Sequence, residues 1–337
     1  MAETSRGSFS GLVTSRAWRA DVEEWVHDRV LERGHRVTGP LDQRRVRAWS
    51  TQLVVPTDAG RLWFKALCPA MAFEPALQEL LASVVPQEVD RPYAIDPRRG
   101  WVMTVDRGPT LGEEHEATLD DWCAVVATMA DIQRAVAPHR DAVLATGVPD
   151  CTPGTVPDRF DGLVELMSEL PPGHPSHVDA DLRAALLRMR PRLVDVCERL
   201  STSPLPVTLQ HGDLHPGNVF AAPGGGAGPR AASNRALRVF DFGDTQWAPA
   251  VEVLSVPFGV LNEEGRLPWR PVLESYAERW ADVVDTRSLT ALWEAASFTQ
   301  PVNRAQTWWG ALADATDAEL ADWGIAPRHH LMRVLDA

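Results

Sequence analysis

At 337 residues the chain is too long for one small core and points to about two domains or lobes. Its apolar fraction of 45% is ordinary for a globular protein, and no apolar run approaches the roughly 20 residues of a membrane span. A formal charge of −13 opposes nucleic-acid phosphate and anionic membrane and weakly favours a cationic small molecule. The opening MAETSRGSFSGLVTSRAW has no apolar secretory core. Cys68, Cys123, Cys151 and Cys197 are widely separated and lack CxxC spacing, which fits free thiols in a reducing cytoplasm better than disulfides or zinc. A cytoplasmic protein without nucleic-acid or membrane partners is expected.

Residues 1–14 are small and polar and are expected to fray. From Ser15 to Arg33, Trp18, Val22, Trp25, Val26 and Val30 recur at helical spacing, with Gly34 as a stop. STQLVV and RLWFKAL, joined by PTDAG, read as a β-hairpin. FEPALQELLASVV reads as a helix that admits Pro75 only in its first turn. GWVMTV is a further strand, and Asp106 to Pro109 a break. Past that break the pattern turns helical. Thr118 and Asp121 form a capping pair ahead of Leu119, Trp122, Val125, Val126, Met129 and Ile132. Over 179–200, Leu182, Leu186, Met189, Leu193 and Leu200 share a stripe that Pro191 interrupts. PVTLQ then reads as a short strand, Pro216-Gly217 as a tight turn and NVF as a strand restarting. AAPGGGAGPRAASNRA, at 221–236, is a low-complexity, flexible spacer ahead of LRVFDF. Several helices follow. The fold class is α+β: a small lobe of sheet and helix over residues 1–105, and a larger, mainly helical lobe over 106–337.

The stretch HGDLHPGNVF, residues 211–220, collects two histidines, an aspartate and an asparagine on a loop between strands. His-x-Asp-x-His offers three metal ligands, but Asn218 has no part in such a site, and no second His-rich cluster adds ligands. A polar turn with capping side chains is the bland reading. A third reading draws on distant partners. Asn218 follows Asp213, and Asp241 ends the apolar strand in VFDFGD. Upstream, Lys65 ends the run LWF, with Glu74 or Glu79 in the next helix. Phosphoryl transfer from a nucleotide needs this set: an amine on the phosphates held by a carboxylate, an acid and an amide oxygen for Mg²⁺, and a carboxylate to take the acceptor proton. Protein kinases carry the same groups in the same order.

HGDLHPGNVF followed by VFDFGD resembles the aminoglycoside phosphotransferase and choline kinase family. The resemblance runs from about Leu53 to Leu254 and is carried by the catalytic segment. It implies a two-lobed, protein-kinase-like fold with Asp213 as catalytic aspartate and Asn218 and Asp241 as metal ligands. Lys65 falls on the nucleotide lysine, with Glu74 the favoured carboxylate partner and Glu79 the alternative. WVMTVDRGPTL resembles the family's hinge, whose backbone near Met103 to Val105 would meet the purine. The implied cofactors are ATP or GTP and Mg²⁺. The implied reaction phosphorylates a hydroxyl of an aminoglycoside, amino sugar or similar polyol. A metabolic kinase for a sugar or amino alcohol, and a nucleotide-binding pseudoenzyme, are the alternatives; no expected catalytic group is missing, which speaks against the last.

The sequence departs from the family's pattern at the phosphate-covering loop. Residues 41–57 contain no glycine, and RAWST stands there instead, leaving Ser50 and Thr51 as candidate phosphate contacts. The spacer also lengthens the hairpin before Asp241. His211 reads as an internal brace and His215 as a loop residue or substrate contact. Asp244 and Glu252 either face the acceptor or serve as solvated or capping groups. Seven tryptophans from Trp247 to Trp323 fill the core or stack on substrate.

Overall fold

Within residues 50–67, Leu53, Val55, Leu62 and Phe64 turn to one buried face. The strands they form, β2 (Ser50–Thr57) and β3 (Gly60–Leu67), belong to a five-stranded antiparallel sheet in a computed structural model that describes residues 7–221, 236–265 and 267–336. With β1 (Asp42–Val46), β4 (Ala94–Asp96) and β5 (Trp101–Val105), the order is β1-β2-β3-β5-β4. Two helices precede the sheet, α1 (Phe9–Val13) and α2 (Arg16–Glu32), each capped by a serine hydroxyl. The apolar stripe of α2 covers the sheet, where Trp18 and Trp25 meet Phe64 and Trp101 edge-on. Residues 8–14 do not fray as expected: Ser8 caps α1, and Phe9 and Val13 are buried in the same core. Strand β1 escaped notice because its sequence, DQRRV, carries too little apolar alternation.

Helix α3 (Glu74–Val84) starts with Pro75 in its first turn and packs its apolar face on α5 (Leu119–Val136), away from the sheet core. The larger lobe adds α4 (Leu111–Glu114), α6 (Arg140–Ala145), α7 (Val156–Ser168), α8 (Ala180–Ser201), α9 (Ser255–Glu264), α10 (Trp269–Glu278), α11 (Thr286–Ala311), α12 (Asp317–Trp323) and α13 (Ala326–Met332). The Thr118–Asp121 capping box on α5 is present. Helix α8 runs through Pro191 instead of stopping, because that residue lies on its exposed face, where water can serve the freed carbonyl.

Two short antiparallel pairs carry the motif residues. β6 (Val207–Gln210) pairs with β9 (Gln246–Pro249), and β7 (Val219–Ala221) with β8 (Leu237–Val239). The spacer expected at 221–236 lies outside the described residues save at its ends. All four cysteines are free, and among the described residues no helix is long and apolar enough to cross a membrane.

Candidate active site

Lys65 sits in β3 on the face opposite the Leu62–Phe64 core, so its side chain leaves the sheet toward the larger lobe. Its ammonium meets Glu74 Oε2 at 2.6 Å and Asp241 Oδ1 at 2.6 Å. Glu74 enters α3 at its first turn, and Pro75 is tolerated there because that position has no helical partner for its missing N–H. Glu79 points elsewhere and pairs with Arg91 at 2.6 Å. Gly243 lets the Glu74 carboxylate approach, since a Cβ at 243 would lie 2.9 Å from Oε2. Burial works against the Lys65 charge, but the charges of Asp241 and Glu74 outweigh it and push its pKa above the ordinary lysine value. Two carboxylates thus share one ammonium. Burial pushes the deeper one, Glu74, up to about 7.

Asp241 takes φ +64°, the only positive φ among described non-glycine residues, which a short Asp side chain tolerates. The loop from β6 to β7 is braced from inside by His211, which is fully buried. Its Nδ1 accepts from the Asp213 amide at 3.3 Å, and its Nε2 lies 2.9 Å from the Phe240 carbonyl. One ring thereby ties the Asp213 loop to the strand that delivers Asp241. Both nitrogens are committed, and burial lowers the ring's pKa, so neither is offered to a metal. Gly212 adopts φ +84° with its Cα against Asp244, a position no side chain would fit.

Asn218 is nearly buried, and its amide nitrogen donates to the Asp213 carbonyl at 2.8 Å and to Oδ2 at 3.2 Å. Because both partners are acceptors, the nitrogen must face them, which turns the amide oxygen the other way. His215 Nδ1 accepts from Gly217 N–H at 3.0 Å, so in the neutral ring Nε2 carries the proton toward Asp213 Oδ2, 3.5 Å away. On α11, Arg304 pairs with Asp244 at 2.9 Å and reaches within 4.0 Å of Asp213 Oδ1. Burial alone would raise the Asp213 pKa; the His215 contact and the Arg304 charge win and bring it to about 2.

A cavity of roughly 350 Å³ lies between sheet and larger lobe, lined by Lys65, Glu74, Val105, Asn218 and Asp241 among others. Phe220 and Phe240, stacked at 4.4 Å, line its larger-lobe side. Met103 is not part of the lining: its side chain is in the sheet core and its carbonyl accepts from Tyr93 N–H at 2.7 Å. Val105 differs. The Asp106 N–H bonds the Arg61 carbonyl, which makes Leu62–Val105 a non-hydrogen-bonded pair. Its N–H and C=O therefore point away from β3, past the end of β4.

Other sequence expectations meet a different outcome. Glu252 does not face an acceptor: it is fully buried and accepts from Thr299 at 2.6 Å and Asn303 at 3.0 Å. The Thr51 hydroxyl is buried and bonded to Arg45 O and Gln43, and Ser50 is buried; neither lines the cavity. Trp308 and Trp323 stack on each other and meet Trp49 edge-on, bringing the β1–β2 turn onto the larger lobe. Arg304 and this contact escaped the sequence reading because α11 and α12 carry no motif; only the fold brings them to Asp213 and Trp49.

No family model and no curated protein matches the chain. Solved structures do match in fold. A macrolide 2'-phosphotransferase type I is 15% identical, with TM-score 0.57, over 90% of this chain and 95% of that one. The GDP and kanamycin complex of APH(2")-IIia is 14% identical, with TM-score 0.56, over 87% and 93%. An ethanolamine kinase of Plasmodium vivax is 11% identical, with TM-score 0.59, over 86% and 82%. The chain has the two-lobed, kinase-like fold of these small-molecule phosphotransferases and kinases.

Proposed function

We propose that the chain is a small-molecule kinase that transfers the γ-phosphate of ATP or GTP to a hydroxyl group. The observation that carries this reading is the Lys65 ammonium, 2.6 Å from both Glu74 and Asp241, on the wall of a cavity that also holds Asn218. In this reading Lys65 steadies the donor phosphates and Glu74 fixes the lysine. The Val105 main chain meets the purine edge, without the Met103 carbonyl. Asn218 and Asp241 would hold Mg²⁺: an amide oxygen turned from Asp213 and a carboxylate are hard donors that suit this ion. When bound, Mg²⁺ neutralises phosphate charge. Asp213, kept ionised, orients the acceptor hydroxyl and takes its proton.

The acceptor in this reading is an aminoglycoside, amino sugar or similar polyol, drawn in by the chain's −13 charge. A second reading has a specific observation behind it. Arg304 already neutralises Asp244, three residues past Asp241, which suits an uncharged sugar or a simple amino alcohol as well. The test is a panel of aminoglycosides, amino sugars, sugars and amino alcohols incubated with ATP or GTP and Mg²⁺. Transfer to one of them establishes the kinase and names the acceptor class. Tight nucleotide binding with no transfer to any would leave a pseudoenzyme and sink the reading.

A further inference from the structure

The sheet carries a second cation toward the cavity, and a backbone irregularity puts it there. In the β1–β2 pairing, Gln43 stands opposite Leu53 and Arg45 opposite Gln52, so Arg44 is an extra residue in a bulge. A regular ladder would set Arg44 opposite Gln52 and turn Arg45 to the other face. With the bulge, Arg45, Gln52, Lys65 and Val102 form one row across four strands. Paired residues of a ladder share a face, and all four line the cavity. The bulge is pinned by Thr51, whose hydroxyl donates to the Arg45 carbonyl at 2.7 Å and accepts from Gln43 Nε2 at 2.8 Å.

Arg45 also differs from its neighbours: among the described residues it forms no ion pair, although its charge reaches Asp241. Arg91 and Arg107, on the same cavity, pair with Glu79 and Asp90 at 2.6 Å. Among the described residues the Arg45 guanidinium meets no carboxylate or carbonyl, and its Nε is sealed from solvent without a partner. An unpartnered guanidinium about two strand spacings, roughly 10 Å, from the Lys65 backbone is placed for an anion that spans both. The turn that follows, Arg47–Trp49, has no glycine to lay backbone amides over phosphate. It is held instead by Trp49 against Trp308 and Trp323, with ring centroids at 5.4 and 5.5 Å.

We propose that Arg45 is a nucleotide-binding residue whose guanidinium takes the triphosphate, in place of a glycine-rich turn. This rests on the kinase reading above and adds a group that reading does not require. Once the bound purine is known, the corresponding β,γ-methylene triphosphate and nucleoside monophosphate are titrated against the full chain with Mg²⁺. Arg45→Ala should weaken the triphosphate about tenfold or more, the scale of one charge-assisted hydrogen bond, and the monophosphate far less. Arg45→Gln, which keeps the bulk, should show the same selective loss, and Arg45→Lys should recover part of it. An unchanged triphosphate affinity in a folded Arg45→Gln overturns the proposal, as does an equal loss for both ligands. Should the unaltered chain bind neither ligand, the kinase reading falls first and Arg45's role with it.

Discussion

The Lys65 ammonium lies 2.6 Å from the carboxylate of Asp241, a residue 176 positions further along the chain. One partner comes from the sheet and the other from the end of β8, so the contact joins the two lobes across the cavity. The same lobes also meet through Trp49 and its two tryptophan partners. The lobes are joined at these two places as well as where α3 packs on α5.

If Asp241 holds Mg²⁺, nucleotide affinity depends on that carboxylate only when the ion is present. Asp241→Asn suits the test, because asparagine also tolerates the left-handed backbone that position requires. Most of the gain in nucleotide affinity on adding Mg²⁺ should disappear, with metal-free affinity little changed. A full Mg²⁺ response in the variant contradicts the assignment.

Arg304 should help, with His215, to keep the acid side of the rate profile flat. Burial favours a protonated Asp213, and the His215 contact and Arg304 charge oppose it, giving a pKa of about 2. A base that low stays ionised over the working range, so kcat/KM should not fall on the acid side through loss of Asp213. Arg304→Gln removes one opposing charge and should move the acid limb upward, lowering kcat/KM at pH 5 relative to pH 8. An acid limb shared by both proteins would show that Arg304 does not act on Asp213.

Glu252 predicts a stability effect separate from catalysis. Burial pushes its carboxyl up to about 7, against the hydrogen bonds from Thr299 and Asn303 that favour the charge. A carboxyl whose folded pKa lies above its unfolded value of about 4.3 stabilises the fold when protonated. That contribution is complete below the unfolded value and is lost as pH rises through about 7. Glu252→Gln imitates the protonated form, and Thr299 can turn its hydroxyl toward Ala296 O, 3.4 Å away. The Tm of the variant minus that of the parent should therefore grow between pH 4.5 and 8. Parallel Tm curves would count against a buried, titrating carboxyl.

The sequence was most legible where local chemistry is self-sufficient. The α2 stripe, the β2–β3 alternation and the Thr118–Asp121 cap each act over a few residues, and each is found where the pattern puts it. Lys65, Glu74, Asp213, Asn218 and Asp241 stood out because phosphoryl transfer needs such groups in that order, and the fold brings Lys65 to Glu74 and Asp241, and Asn218 to Asp213. What sequence could not supply lies in tertiary register. Arg45 faces the cavity only because a bulge shifts β1 by one residue, and DQRRV does not say which arginine is the extra one. Glu252 looks like a surface acid beside a motif until α11 closes over it.

In the proposed reaction Asp213 takes the proton of an acceptor hydroxyl in a nucleotide-dependent transfer. Asp213→Asn tests it most directly, because the amide keeps the shape of the group while removing its basicity. With the acceptor identified by the panel, turnover and nucleotide affinity are measured on both proteins under saturating Mg²⁺. Turnover should fall roughly 10²- to 10⁴-fold, the range for a positioned acid or base, with nucleotide affinity and Tm close to those of the parent. Turnover near the parent's in a folded, nucleotide-binding Asp213→Asn would contradict the account.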